Sequence, residues 1–305
     1  MNNFIQYELW KDCSNGCKFC FNKGQKDLDK IESLNFVIDK LDDTEVNEYN
    51  EIGFIGGEFF DSQLDNKNVR QLFYRLFDKC IDKIKNNKIN KLYITTALLF
   101  DMNKHLIPFL NYLNDKGVLE NVLLCTSYDL KYRFHTSDRK HMWESNMKLL
   151  NYVFPKLRLH TETIVSGFFI ESVLNGEFSI TDFCKEYNTH IDYIEPGSGF
   201  YYYDKKECSK DMPDFFPTKD RFIEFLYKVA IENREIDLDT FISPNVRSDK
   251  IYCNYNGKRY IMSNRRKTNM TISFTDMDVK YETGLLDSND KMLEIVKQVK
   301  QMCGE

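Results

Sequence analysis

Residues 12–22 read DCSNGCKFCFN and carry three cysteines, Cys13, Cys17 and Cys20, in a CxxxCxxC array. Thiolates are soft ligands suited to zinc or to iron–sulfur clusters. A structural zinc site completes its tetrahedron with a fourth Cys or His, commonly from a second paired knuckle. The chain has no other CxxC, and its first histidine is His105. A cubane cluster with only three protein ligands leaves one iron open to a substrate or cosubstrate. A second chemical grouping, Gly56-Gly57-Glu58, ends an apolar run further along.

Both groupings sit where strands are expected to end. Apolar runs of strand length occupy 4–10, 51–57, 91–98, 121–128, 157–166 and 191–197. Helical periodicity lies between them: Leu72, Phe73, Leu76, Phe77, Cys80, Ile81 and Ile84 share one face. Leu106, Phe109, Leu110 and Leu113 repeat the pattern, with Gly117 as a stop. The alternation predicts a parallel sheet covered by helices, either doubly wound or part of a β/α barrel. Beyond residue 200 the pattern changes. A helix is expected over 218–233, then a hairpin closed by Asn256-Gly257, a short strand in MTISF and a terminal helix from Ser288. The expected division is 1–215 and a C-terminal α+β extension, 216–305.

Composition limits the alternatives. A chain of 305 residues, 42% hydrophobic, can bury a sizeable core, and a net charge of −5 gives no global pull toward nucleic acid. MNNFIQYELWKD lacks a basic segment followed by an apolar one, and no stretch approaches the roughly 18 apolar residues of a membrane span. The expectation is a cytoplasmic protein without a membrane partner. Cys80, Cys125, Cys184, Cys208, Cys253 and Cys303 are scattered singly, which suits core packing rather than disulfides or a second cluster.

The array, with Phe19 at the aromatic position before its last cysteine, resembles the signature of the radical S-adenosylmethionine (radical SAM) superfamily. Gly56, Gly57 and Glu58 resemble that family's GGE motif. The resemblance implies a partial (β/α)6 TIM-like barrel over about the first 200 residues, with both motifs at the C-terminal strand ends where barrel active sites gather. It implies a [4Fe-4S] cluster on Cys13, Cys17 and Cys20 whose open iron binds S-adenosylmethionine (SAM), and an external electron donor such as flavodoxin or ferredoxin. Reductive cleavage of SAM would then give a 5′-deoxyadenosyl radical. Glu58 would receive the SAM ammonium, Ser127 the ribose hydroxyls and Arg133 the methionine carboxylate. Ser127 also reads as a cap of the following helix, Arg133 as a solvated charge, and only Thr163 suggests itself near the adenine. His135, His141 and His160 read as structural or surface residues.

Substrate signals are sparser. Tyr201, Tyr202 and Tyr203 in GSGFYYYDKK can stack a planar group or pack as a loop. Seven basic residues between Arg247 and Lys267, Arg265 and Arg266 among them, interleave with Tyr252, Tyr255 and Tyr260. Such a run either meets a phosphate backbone or is a solvated face. The expectations are therefore a nucleotide or nucleic-acid substrate, alternatively a peptide side chain, and from a different class a non-catalytic zinc or iron–sulfur module.

Overall fold

A computed structural model describes residues 4–20, 26–43, 46, 48–194, 212, 214–215, 217–232, 250–255, 257–263, 271–273, 278–280, 298–299 and 301. Its centre is one sheet. Six strands, β1 (Phe4–Glu8), β2 (Glu51–Ile55), β3 (Lys91–Thr95), β4 (Val122–Tyr128), β5 (Arg158–Ile164) and β6 (His190–Ile194), lie side by side in chain order and pair in parallel. On the other side of β1, β7 (Lys250–Tyr255) joins in parallel. The sheet continues antiparallel through β8 (Lys258–Ser263), β9 (Thr271–Ser273) and β10 (Asp278–Lys280). Tyr255 pairs with Lys258 across the Asn256-Gly257 turn, and the extension adds its hairpin to the same sheet. The expected start of a terminal helix at Ser288 lies outside the described residues.

Among the described residues the strands are accompanied by α1 (Lys30–Asp42), α2 (Lys67–Lys85), α3 (Leu106–Asp115), α4 (Ser137–Val153), α5 (Gly167–Leu174), α6 (Ile180–Tyr187) and α7 (Lys219–Glu232). Their starts follow from polar caps. Asp29, Asn66, Thr136, Ser166 and Ser179 each accept a backbone N–H of the first turn of α1, α2, α4, α5 and α6. From β1 to β6 the strand order never reverses, and it turns back only at β7, which joins on the other side of β1.

The two faces of the sheet differ. Tyr7, Phe54, Ile94, Leu124, Tyr128 and Tyr252 share a face by register. Onto it α1, α2, α4 and α6 place Phe36, Phe77, Trp143 and Phe183. The opposite face carries Gln6, Glu8, Glu51, Tyr93, Thr95, Cys125, Ser127, His160, Glu162, His190 and Asp192. Polar chains there meet one another: the Tyr93 hydroxyl donates to Glu51 Oε2 at 2.9 Å, and His160 Nδ1 lies 3.1 Å from Asp192 Oδ2. No described helix is long and apolar enough to cross a membrane.

Candidate functional site

At β1, β2, β3 and β5 the expected strands overrun the observed ones at their C-terminal ends, and after β1 and β2 those residues leave the ladder to build a rim. Gly57 N donates to Trp10 O at 2.7 Å and Glu58 N to Asp12 O at 2.9 Å, so the loops after β1 and β2 run against each other. Only glycine permits this approach. A Cβ on Gly56, whose φ is +147°, would stand 2.2 Å from Trp10 O, and one on Gly57 would stand 1.9 Å from Asp12 O. Both obstacles are backbone, which cannot swing aside. The double glycine is a cradle for the segment that leads into Cys13.

The cysteine loop is pinned from every neighbouring element. Asp27 Oδ2 accepts from Lys11 N at 2.9 Å and Asp12 N at 3.0 Å, holding the way in. Ser14 Oγ donates to Asp61 Oδ2 at 3.3 Å, and His135 Nε2 donates to Gly16 O at 2.8 Å. Arg139 Nη2 donates to Asn15 Oδ1 at 2.7 Å, and Lys18 N to Tyr132 O at 3.2 Å. Beneath the loop, Lys11 Nζ and Glu8 Oε1 form a buried ion pair at 3.0 Å, and Glu8 also accepts from Asn254 N on β7. Asn254 Nδ2 reaches Asp27 Oδ1 at 3.2 Å. The C-terminal hairpin therefore braces the N-terminal loop.

The described residues expected at the site each have a definite place. Cys13 is exposed, Cys20 partly so and Cys17 buried. Surrounding protein atoms desolvate the Cys13 thiol and push it up to about 11, although its own surface is open, and a bound metal would take the place of that proton. Asn15 Nδ2 donates to the same sulfur at 3.2 Å. Phe19 packs on the small apolar cluster of Tyr132, Ile164, Met212 and Phe215, its ring stacked on Phe215 at 6.4 Å. Glu58 is 0% exposed, and its carboxylate is already engaged. Phe60 N donates to it at 3.0 Å, Ala97 N at 2.5 Å and Thr96 Oγ1 at 3.1 Å. Burial outweighs these donors and pushes its pKa up to about 7.

The later strands supply the rest. Arg133, expected as a ligand or a solvated charge, is 5% exposed. Its Nη1 donates to Cys17 Sγ at 3.7 Å and its Nη2 to Ala97 O at 3.2 Å. Ser127 lies in β4 beside Glu162 of β5, and the following helix is capped by Thr136, so Ser127 is not its cap. Thr163 is 1% exposed and in register with Tyr128, on the helix-packed face opposite Ser127. Tyr252 is buried and stacked on Tyr7 at 5.1 Å, and the Arg259 guanidinium lies 3.5 Å from the Phe36 ring centre. Tyr201, Tyr202, Arg265 and Arg266 lie outside the described residues.

Sequence reasoning missed Asp27, Asp61, Arg139 and Asn254, which hold the loop without lying in a motif, and read His135 only as a structural or surface residue. A cleft of about 820 Å³ between α2 and the start of α3, lined by Arg70, Tyr74, Arg75 and Lys104, includes none of the expected site residues. Among the described residues no three His, Cys, Asp or Glu side chains gather around one metal ion. No protein-family model matches the chain, and no curated protein matches it.

Proposed function

We propose that this chain is a radical SAM enzyme, with Cys13, Cys17 and Cys20 as ligands of a [4Fe-4S] cluster. The observation that carries the reading is the seating of the cysteine loop on Gly56 and Gly57, which joins the two motifs in one rim at the strand ends. When bound, such a cluster supplies one electron for cleavage of SAM to methionine and a 5′-deoxyadenosyl radical. The unreversed order from β1 to β6, with helices on the apolar face and a polar opposite face, supports a partial (β/α)6 barrel with the polar face inside.

The chain's own part is positioning and the control of water. Gly56 and Gly57 bring the rim backbones together. Glu58 fastens the end of β2 to the end of β3, and its buried carboxylate acts on a SAM ammonium through the rim it holds rather than as an open acceptor. Phe19 and its apolar neighbours exclude water on one side of the loop. A nucleotide substrate rests on the basic hairpin, where Tyr252 and Arg259 are committed to packing, leaving Lys258 and residues beyond Ser263 to meet phosphate. A substrate affinity that falls steeply with salt would favour nucleotide over peptide.

The test is incubation of anaerobically purified protein with SAM and dithionite, followed by mass spectrometry. The parent chain should release 5′-deoxyadenosine, and Cys13→Ala/Cys17→Ala/Cys20→Ala should release none. Equal release from both would overturn the assignment.

A further inference from the structure

Arg133 is a buried cation that no described carboxylate neutralises at salt-bridge distance. Its side chain makes two hydrogen bonds, one to Cys17 Sγ at 3.7 Å and one to Ala97 O at 3.2 Å, and its buried Nε has no partner. Asp129, the nearby acid after β4, is taken up on Oδ1 by the backbone N–H groups of Lys131, Tyr132 and Arg133, and its buried Oδ2 makes no hydrogen bond to the guanidinium. A guanidinium taken out of water is stabilised by an anion beside it. Of the two atoms its fork touches, Ala97 O and Cys17 Sγ, the sulfur is the one that can carry that charge.

We infer that Arg133 is a positioning residue for the cluster ligand Cys17, donating to its sulfur and setting the reduction potential of the group held there. This rests on the radical SAM reading and differs from the carboxylate-binding role expected from sequence. The physical basis is charge. A hydrogen bond from a guanidinium withdraws electron density from a thiolate ligand and favours the reduced, more negative cluster, one of the levers by which proteins tune such potentials. The fold supports the aim of the group: Ala97 O fixes one arm of the fork, and Ala97 N is itself tied to Glu58, so the guanidinium is oriented by the same rim that seats the cysteine loop.

The test uses cluster-loaded protein without SAM. Iron content and midpoint potential are measured for the parent, Arg133→Gln and Arg133→Lys, together with the melting temperature of each apo chain. Arg133→Gln should keep its iron and titrate at a more negative potential, with Arg133→Lys between it and the parent. Loss of iron from Arg133→Gln with retention in Arg133→Lys also supports the inference, because the two differ in charge at the sulfur. Parent potential in both variants, or loss of iron from both, would overturn it; a purely structural arginine would lower only the apo melting temperature. Parent potential together with weakened SAM binding, measured in a separate anaerobic titration, would overturn it and return Arg133 to the methionine carboxylate. A parent chain that takes up no iron overturns this inference and the function beneath it, whereas bound iron with an unmoved potential overturns this inference alone.

Discussion

The aromatic core under the sheet and the rim above it are held in opposite ways. In the core, Phe73, Phe77 and Phe109 pack with centroids 4.7–5.4 Å apart, and Phe54 joins them at 5.1 Å from Phe77. Their attraction is non-directional and proportional to buried area. In the rim, the cysteine loop is fixed by directed hydrogen bonds to Asp27, Asp61, His135 and Arg139. Trp10 belongs to both, its ring edge-on to Phe59 at 5.1 Å while its Nε1 donates to Glu58 O at 3.1 Å. Burial makes the fold stable, and directed bonds decide where the thiols stand.

The difference predicts which changes unfold the chain and which merely disarm it. The largest loss should come from the core: Phe77→Ala removes a fully buried ring, at a cost of roughly 3–5 kcal/mol in urea denaturation. Next is Glu8→Ala, which removes the carboxylate of a buried ion pair with Lys11 and should cost toward the lower end of roughly 3–5 kcal/mol. Unlike the core change, it should also loosen the cysteine loop, read as faster amide exchange over 11–20 at a temperature where both variants stay folded.

Glu58 links the two regions through pH. Its folded pKa of about 7 lies above the ordinary 4.5, so between those values the folded chain holds a proton that the unfolded chain has lost. Stability from this group is therefore full below the lower value and falls as pH rises through the window, by roughly 3 kcal/mol in all. Glu58→Gln should flatten that slope in denaturation series between pH 4.5 and 7, and an unchanged slope would remove Glu58 as its source. The smallest effect is expected at a helix start remote from the rim. Asn66 caps α2 through Asn68 N and Val69 N, and Asn66→Ala should cost about 1 kcal/mol without altering exchange in the cysteine loop.

Local order was legible in the chain and contact across it was not. β1 to β5 fall inside their apolar runs, β6 starts one residue before its run, α2 and α3 follow the three- and four-residue spacings, and Asn256-Gly257 marks the hairpin. Each depends on neighbours a few residues apart. Gly56 and Gly57 were legible as a motif, while their reason, the backbone of Trp10 and Asp12, requires the parallel pairing of β1 with β2. Asn254 on Glu8 spans almost the whole chain, and the Arg133 contact with Cys17 joins residues more than a hundred apart. Periodicity carries no trace of such pairs. Burial at two polar residues was not legible either: Glu58 accepts from Phe60 N and Ala97 N, and Thr163 faces the helices because its register with Tyr128 fixes its side of β5.

The central claim is that the loop on the double glycine holds a cluster, and its most direct measurement is iron and acid-labile sulfide in protein purified without oxygen. About four of each per chain are predicted for the parent, and none for the chain in which Cys13, Cys17 and Cys20 are all alanine. Zinc in place of iron, or iron that persists in the triple variant, would contradict the account.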